Sequence, residues 1–261
     1  MNEHLDKRVS LNPAALLAPV PVILAGCRGL AGSPYDKPNL ITLAWAGTIN
    51  SDPPMISISV RKSRFSHQQI LESGECTVNL VSRSLLKSAD FCGVKSGEQV
   101  DKFTACRLTP LMLEAMEYAP AVAESPLAFA CKVRQVIELG SHDCFLLDIV
   151  GVSARPDLLD AGNRLRLDQA ELVAYNHGEY WSLGEKLGFF GYSVASTDVL
   201  ARRMAAKRIP KTVKPDESRP QTSDATLNRA KRKRQERQNK NQQDRHKMNP
   251  QDQHRKNPQD R

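Results

Sequence analysis

The sequence predicts a mainly-β barrel with a few short covering helices, and three observations carry that prediction. Apolar and polar residues alternate with a period of two through residues 41–49 and 56–60. Turn-forming residues, Asp52-Pro53-Pro54 and Gly140-Ser141-His142-Asp143, separate such runs. Helical patterns are short and few, at residues 66–73, 84–92 and 168–175.

Taken in order, residues 18–25 form an apolar run broken by Pro19 and Pro21, which fits an entry or edge strand. Ile41, Leu43, Trp45 and Ile49 share one parity, and Thr42, Ala44 and Thr48 the other. After the Asp52-Pro53-Pro54 turn, Ile56, Ile58 and Val60 face one way, with Ser57 and Ser59 opposite. Ser66, followed three residues later by Gln69, is a capping-box pattern and predicts a helix starting there. Residues 76–81 read as another strand. Residues 128–139 and 144–153 read as two more, joined by a hairpin turn with His142 at its tip.

Charge divides the chain. Residues 197–261 hold 19 of the 37 Lys and Arg but 8 of the 29 Asp and Glu, a formal +11; residues 1–196 keep 18 and 21, a formal −3. The basic character therefore belongs to the C-terminal segment. That segment has no Phe, Tyr or Trp and a short repeat, Lys247-Met-Asn-Pro-Gln-Asp252 and Lys256-Asn-Pro-Gln-Asp260. Such a composition buries too little apolar area to offset its ordering entropy. The expected organisation is a lead-in at 1–13, a folded domain at 14–196 and a basic, low-complexity tail at 197–261, helical at most through 199–207.

The six cysteines contain no CxxC pair, so a zinc site or disulfide framework is not indicated. They read as reduced thiols of a cytoplasmic protein. No stretch reaches the ~20 apolar residues of a membrane span, and the N-terminus lacks a signal-peptide pattern. Nucleophile-elbow, HExxH, P-loop and GxGxxG motifs are absent, as are a triad and a carboxylate pair. Hydrolysis is unsupported; a cofactor that brings its own chemistry fits better.

Several residues are candidates for holding such a group, each with a plainer alternative. A helix start at Ser66 presents free N–H groups and the positive end of the helix dipole, and Arg61, Lys62 and Arg64 lie just upstream. Together they suit a phosphate; the alternative is a simple cap beside solvated cations. Trp45, among Ala44, Ala46 and Gly47, can lie against a planar ring or pack in the core. Asn79 is either satisfied by backbone groups or a ligand for a sugar-alcohol chain. Lys102, before Phe103, is a phosphate ligand or a solvated lysine. His142 is a proton donor near substrate or a surface histidine. Tyr175, Tyr180 and Trp181 are a second aromatic wall or core packing.

The ordered set Asn39-Leu-Ile-Thr42, Ala44-Trp-Ala-Gly47, Asp52-Pro53-Pro54, Ser57-Ile-Ser59, Ser66, Gly74-Glu-Cys-Thr-Val-Asn79, Asp101-Lys-Phe103, Cys131-Lys-Val133 and Tyr180-Trp-Ser-Leu-Gly184 resembles the flavin reductase-like, FMN-binding split-barrel family, and its flavoredoxin branch in particular. The resemblance spans about residues 14–195. It implies a homodimeric split β-barrel that binds FMN near the subunit interface. It places Thr42, Leu43, Ala44, Trp45 and Thr48 along the ring or ribityl group, and Ser59, Arg61, Ser63, Ser66 and Lys102 around the phosphate. It places Asn79 at the ribityl chain, with His142, the candidate catalytic residue, and Tyr175 near the ring. Many relatives carry an aromatic residue at Cys76 and Thr at Ser66; the serine keeps the hydroxyl.

The resemblance implies an NAD(P)H:flavin oxidoreductase that moves electrons from NADH or NADPH through FMN to a small-molecule flavin or a redox protein. The alternatives are an FMN-holding electron carrier without nicotinamide turnover, or a barrel tethered to nucleic acid by its tail. For the last, Lys231-Arg-Lys-Arg234 supplies charge for counterion release, without aromatics for base stacking. No membrane association is expected.

Overall fold

The computed structural model describes residues 8–204. The chain divides into a unit ending at Leu187 and a unit beginning at Gly188. Among its described residues the first contains twelve strands: β1 (Val20–Pro21), β2 (Ile23–Cys27), β3 (Asn39–Leu43), β4 (Ala46–Ser51), β5 (Pro54–Arg61), β6 (Glu75–Leu80), β7 (Pro110–Leu111), β8 (Ala121–Val122), β9 (Leu127–Glu138), β10 (His142–Ala154), β11 (Val173–Asn176) and β12 (Glu179–Ser182). Its helices are α1 (Phe65–Ser73), α2 (Leu86–Val94) and α3 (Lys102–Cys106). In the second unit, α4 spans Thr197–Met204, and the Arg203 guanidinium lies 4.7 Å from the centre of the Phe189 ring. The tail expectations beyond residue 204, nucleic-acid attachment included, concern residues outside those described.

Seven antiparallel strands form one sheet in the order β3-β2-β6-β9-β10-β5-β4. Its two edge strands, β3 and β4, are consecutive in the chain and separated by Ala44 and Trp45 alone. The sheet must therefore curl until its edges meet, and the Ser59 N–H donates to the Trp45 carbonyl at 2.9 Å beside that meeting point. This makes a split barrel. Strand periodicity fills it: Ile23, Ala25, Ile41, Ile56, Ile58, Val60, Phe145 and Leu147 form the interior. The alternate residues Val22, Leu24 and Leu40 face outward and are covered by Leu85, Ala89 and Phe103.

Several elements differ from the sequence expectations. The apolar run at 18–25 is two strands. β1 carries Pro21 at the edge of a small sheet ordered β1-β11-β12, where a missing N–H is tolerated. β2 is an interior strand, buried on both faces. Trp45 lies outside the strands because the chain crosses between sheet edges there. The helix expected at 168–175 is a 3-10 turn, Leu167–Gln169, followed by β11. β11 and β12 form a hairpin whose two turn residues, His177 and Gly178, have φ of 49° and 89°, the left-handed pair a tight hairpin requires. His142 opens β10 and pairs with Arg61, so it stands in the strand and not at the hairpin tip.

α1 corrects the capping expectation. Its N-cap is Arg64, with no side-chain cap, and Gly74 closes it in the left-handed conformation, donating its N–H to Ile70 O. Ser66 and Gln69 serve tertiary contacts instead. Ser66 Oγ accepts from Asn39 Nδ2 at 2.8 Å, and the Gln69 amide donates to the carbonyls of Tyr35 and Lys37 at 2.9 and 2.8 Å. α3, which the sequence reading did not anticipate, starts at Asp101, whose carboxylate accepts from the Thr104 N–H at 3.2 Å. The described cysteine thiols are all free, and no helix among the described residues is long and apolar enough to cross a membrane.

A buried carboxylate fixes the loop before β8. Glu75 accepts backbone N–H bonds from Glu117, Tyr118 and Ala119 and an ion pair from Lys132 at 3.0 Å. Burial alone would raise its pKa, but these donors outweigh burial and lower it from 4.5. A lowered carboxylate contributes stability above its unfolded value and loses it as pH falls through the folded one. Glu75→Gln should therefore lose about 2 kcal/mol of stability at neutral pH. The gap from the parent should close as urea unfolding is repeated below pH 4.5.

Candidate functional site

The split between the sheet edges opens a cavity of about 620 Å³. β3 supplies Thr42 and Leu43, and the crossing segment supplies Ala44 and Trp45. The outward face of β5 supplies Ser59 and Arg61, because Val60 between them points into the barrel. β10 supplies His142, and the β11–β12 hairpin supplies Tyr175, His177, Gly178 and Tyr180. A second pocket of about 150 Å³ is lined by Ser63, Phe65 and Ser66 at the start of α1, by Lys95, Ser96 and Gly97 after α2, and by Lys102. Ile41, Arg64 and Gly93 line both, so the two spaces adjoin.

The larger cavity is aromatic, and its charged lining residues are Arg61, Arg64 and Asp90. The Trp45 indole is 46% exposed and lies 4.7 Å from the His142 ring, the planes inclined at 42°. Desolvation, with help from the Arg61 charge, lowers the His142 pKa from 6.5, so the imidazole is largely neutral near pH 7. Tyr175 and Tyr180 meet edge to face at 5.7 Å. The Tyr180 hydroxyl donates to Asp90 Oδ1 at 3.1 Å, tying the hairpin to α2. Burial, then that carboxylate, pushes the Tyr180 phenol up to about 12.

The smaller pocket is cationic. Lys102 is 2% exposed, and its ammonium donates to Leu40 O at 2.6 Å and Cys92 O at 2.8 Å. Among the described residues no carboxylate lies within ion-pair distance of it. Two carbonyls leave the third ammonium donor unused and the positive charge uncompensated. Desolvation lowers the Lys102 pKa, and the neighbouring Arg64 lowers it further against the pull of nearby thiols. The uncapped start of α1 faces the same space.

The sequence-predicted residues thus divide. Thr42, Leu43, Ala44, Trp45, Ser59, Arg61, His142 and Tyr175 line the large cavity, and Ser63, Ser66 and Lys102 line the small one. Thr48 is exposed on β4 and lines neither. Asn79 is fully buried in the sheet: its amide donates to Leu24 O and Thr77 Oγ1, and its Oδ1 accepts from the Val122 N–H. With those polar atoms engaged by the fold, Asn79 serves the sheet and lines neither cavity. Trp181 lies away from the cavity. Lys62 is turned aside, its ammonium 2.6 Å from Glu138 and 3.3 Å from Asp143.

Sequence reasoning missed the far wall. Asp90, Lys95, Ser96 and Gly97 come from α2 and the loop after it, which carry no local binding signal; their place depends on how α2 packs across β3. Gly93 permits that packing, since a Cβ there would sit 3.3 Å from Thr42 Cβ. The hairpin at His177-Gly178 did have a signal, a glycine between two polar-aromatic runs.

The family described as "Flavin reductase like domain" matches residues 16–184. The chain belongs to the flavin reductase-like family. Among solved structures, flavoredoxin of Desulfovibrio vulgaris (Miyazaki F) is 32% identical with a TM-score of 0.64, the alignment covering 70% of this chain and 97% of that one. Flavoredoxin from Methanosarcina acetivorans is 26% identical with a TM-score of 0.65, covering 72% and 100%. The FMN reductase (NADH) RutF of Pseudomonas syringae is 23% identical over 105 residues, 40% of this chain and 56% of that one. The flavin reductase-like barrel and a flavin-related oxidoreductase function follow.

Gly97 sets the width of the cationic pocket. A Cβ at this position would lie 2.2 Å from Asn39 Oδ1, and the Asn39 amide is already held by Ser66 and Gln69. Gly97→Ala should therefore cost about 1–3 kcal/mol in urea unfolding and displace Ser66 from the pocket wall.

Proposed function

We propose that this flavin reductase-like protein holds FMN across the two adjoining spaces and is an oxidoreductase that draws electrons from NADH or NADPH. The observation that carries the reading is Lys102. A buried ammonium held by carbonyls alone is costly unless an anion completes it. The uncapped first turn of α1 and the Arg64 guanidinium meet at the same pocket, which suits a phosphate. The adjoining aromatic cavity suits a flat ring, and its size is that of a small-molecule site. The names of the relatives, flavoredoxin and an NADH-dependent FMN reductase, point the same way.

On this reading Lys102, Arg64, Ser63 and Ser66 bind the phosphate, with Arg61 at the junction with the ring. Trp45 and residues Thr42–Ala44 lie along the ring, Ser59 beside it, and Tyr175 and Tyr180 exclude water from the opposite side. His142, neutral near pH 7, is placed to hold or release a proton close to the ring. FMN, when bound, supplies the hydride- and electron-accepting chemistry. The chain's residues contribute orientation and electrostatics. A small flavin or a redox protein receives the electrons. The protein works as a homodimer in the cytoplasm, and the exposed Val150 and Val152 on β10 are apolar surface available to a second copy. Thr48 and Asn79 are outside the proposed site.

Protein purified with excess FMN should be yellow, and anaerobic NADH or NADPH should bleach the flavin absorbance. Stoichiometric FMN without steady-state nicotinamide oxidation would instead indicate an electron carrier. Lys102→Met, which replaces a buried charge by an apolar chain of similar length, should still fold and should weaken FMN binding by about 10- to 100-fold. A Lys102→Met protein that keeps the parent's FMN affinity in fluorescence titration would remove the anion-pocket reading.

A further inference from the structure

His67 and Asp143 are buried ionisable side chains that the proposed chemistry leaves unused. His67 Nε2 lies 2.8 Å from Asp143 Oδ2, with the side chains 3% and 6% exposed. A carboxylate only accepts, so the imidazole Nε2–H donates, and Nδ1 is left 3.5 Å from Gln68 Nε2. The imidazole meets the Phe145 ring edge-on at 5.4 Å. Lys62 ion-pairs with the other Asp143 oxygen at 3.3 Å. Burial would raise the Asp143 carboxyl, but His67 and Lys62 outweigh it and hold the group below its ordinary value, hence ionised.

The chain positions of the pair give it leverage. His67 follows Ser66 in the first turn of α1, and its N–H donates to the carbonyl of the N-cap Arg64 at 2.9 Å. Asp143 follows His142 on β10 and stands opposite Val60, next to the Arg61 that pairs with His142. The other buried polar contacts of α1 run towards β2, β3 and the segment between them: Ser66 to Asn39, and Gln69 to Cys27, Asn39, Tyr35 and Lys37. The bond to Asp143 links the helix start to the strand that carries His142.

We propose that His67 and Asp143 are a positioning pair that fixes the phosphate-binding start of α1 relative to the ring-binding face of β10. Asp143 also keeps Lys62 out of the phosphate corner, leaving Arg64 and Ser66 to define it. The inference rests on the FMN reading above. Neither residue lines either cavity, so the pair acts through Arg64, Ser66 and His142 and touches no ligand itself.

The test is the ratio of the affinities for FMN and for riboflavin, which shares the ring and ribityl chain and lacks the phosphate. The parent protein should prefer FMN. His67→Phe keeps a ring against Phe145 and removes the donor to Asp143; it should lower the FMN preference by about fivefold or more while riboflavin affinity holds. His67→Gln, whose amide can donate to Asp143, should recover part of the preference. An unchanged ratio in His67→Phe, or an equal loss for both flavins, would overturn the positioning role and leave a structural contact. If His67→Phe does not fold, Asp143→Leu, similar in size and without an acceptor for the His67 Nε2–H, is read by the same ratio with the same outcomes. A parent protein with no preference for FMN would instead sink the anion-pocket reading itself, so the two failures are distinguishable.

Discussion

The constraint on which the rest of this structure depends is the two-residue passage at Ala44–Trp45. Strands at opposite edges of a seven-stranded sheet are joined there by only two residues. A sheet so connected has to close on itself, and its interior is then filled by one parity of every strand. The residues of the opposite parity beside the closure, Thr42, Ser59, Arg61 and His142, are left outward around the split. The larger cavity is thus a by-product of closure. Trp45 stands at its rim because it occupies the link itself.

Charge is organised with similar economy. The segment from Arg61 to Arg64 carries three cations in four residues, and the fold gives them different partners. Lys62 is neutralised by Glu138 and Asp143, while Arg61 and Arg64 border the cavities. Lys102 reaches the same corner from α3 and is held by the Leu40 and Cys92 carbonyls, with no carboxylate among the described residues in ion-pair distance. An unbalanced buried cation is costly to a fold.

Much of this was legible in the sequence. Strand alternation through residues 41–60 located the barrel wall, because a period of two sorts inward from outward residues without tertiary knowledge; the residues around the larger cavity came from the family resemblance. Local patterns failed where tertiary demands intervened. Ser66 and Gln69 fit a capping box, yet buried acceptors and donors on Asn39, Tyr35 and Lys37 claimed both side chains. Residues 168–175 carried a helical pattern, but burial of Val173 and Ala174 beside β1 drew them into a strand. Asn79 looked equally able to bind a ligand or satisfy backbone, and only the register of β2, β6 and β8 decides for the latter. The wall formed by α2 and its following loop had no sequence signature, since it depends on a helix–strand packing distance.

The β11–β12 hairpin is attached differently from the rest of the cavity lining. It belongs to a separate three-stranded sheet, and the Tyr180–Asp90 bond fastens its second strand to α2. Changes in its length or its tip leave the barrel ladder intact. The surface beside the larger cavity can accordingly vary while the seven-stranded barrel is inherited unaltered.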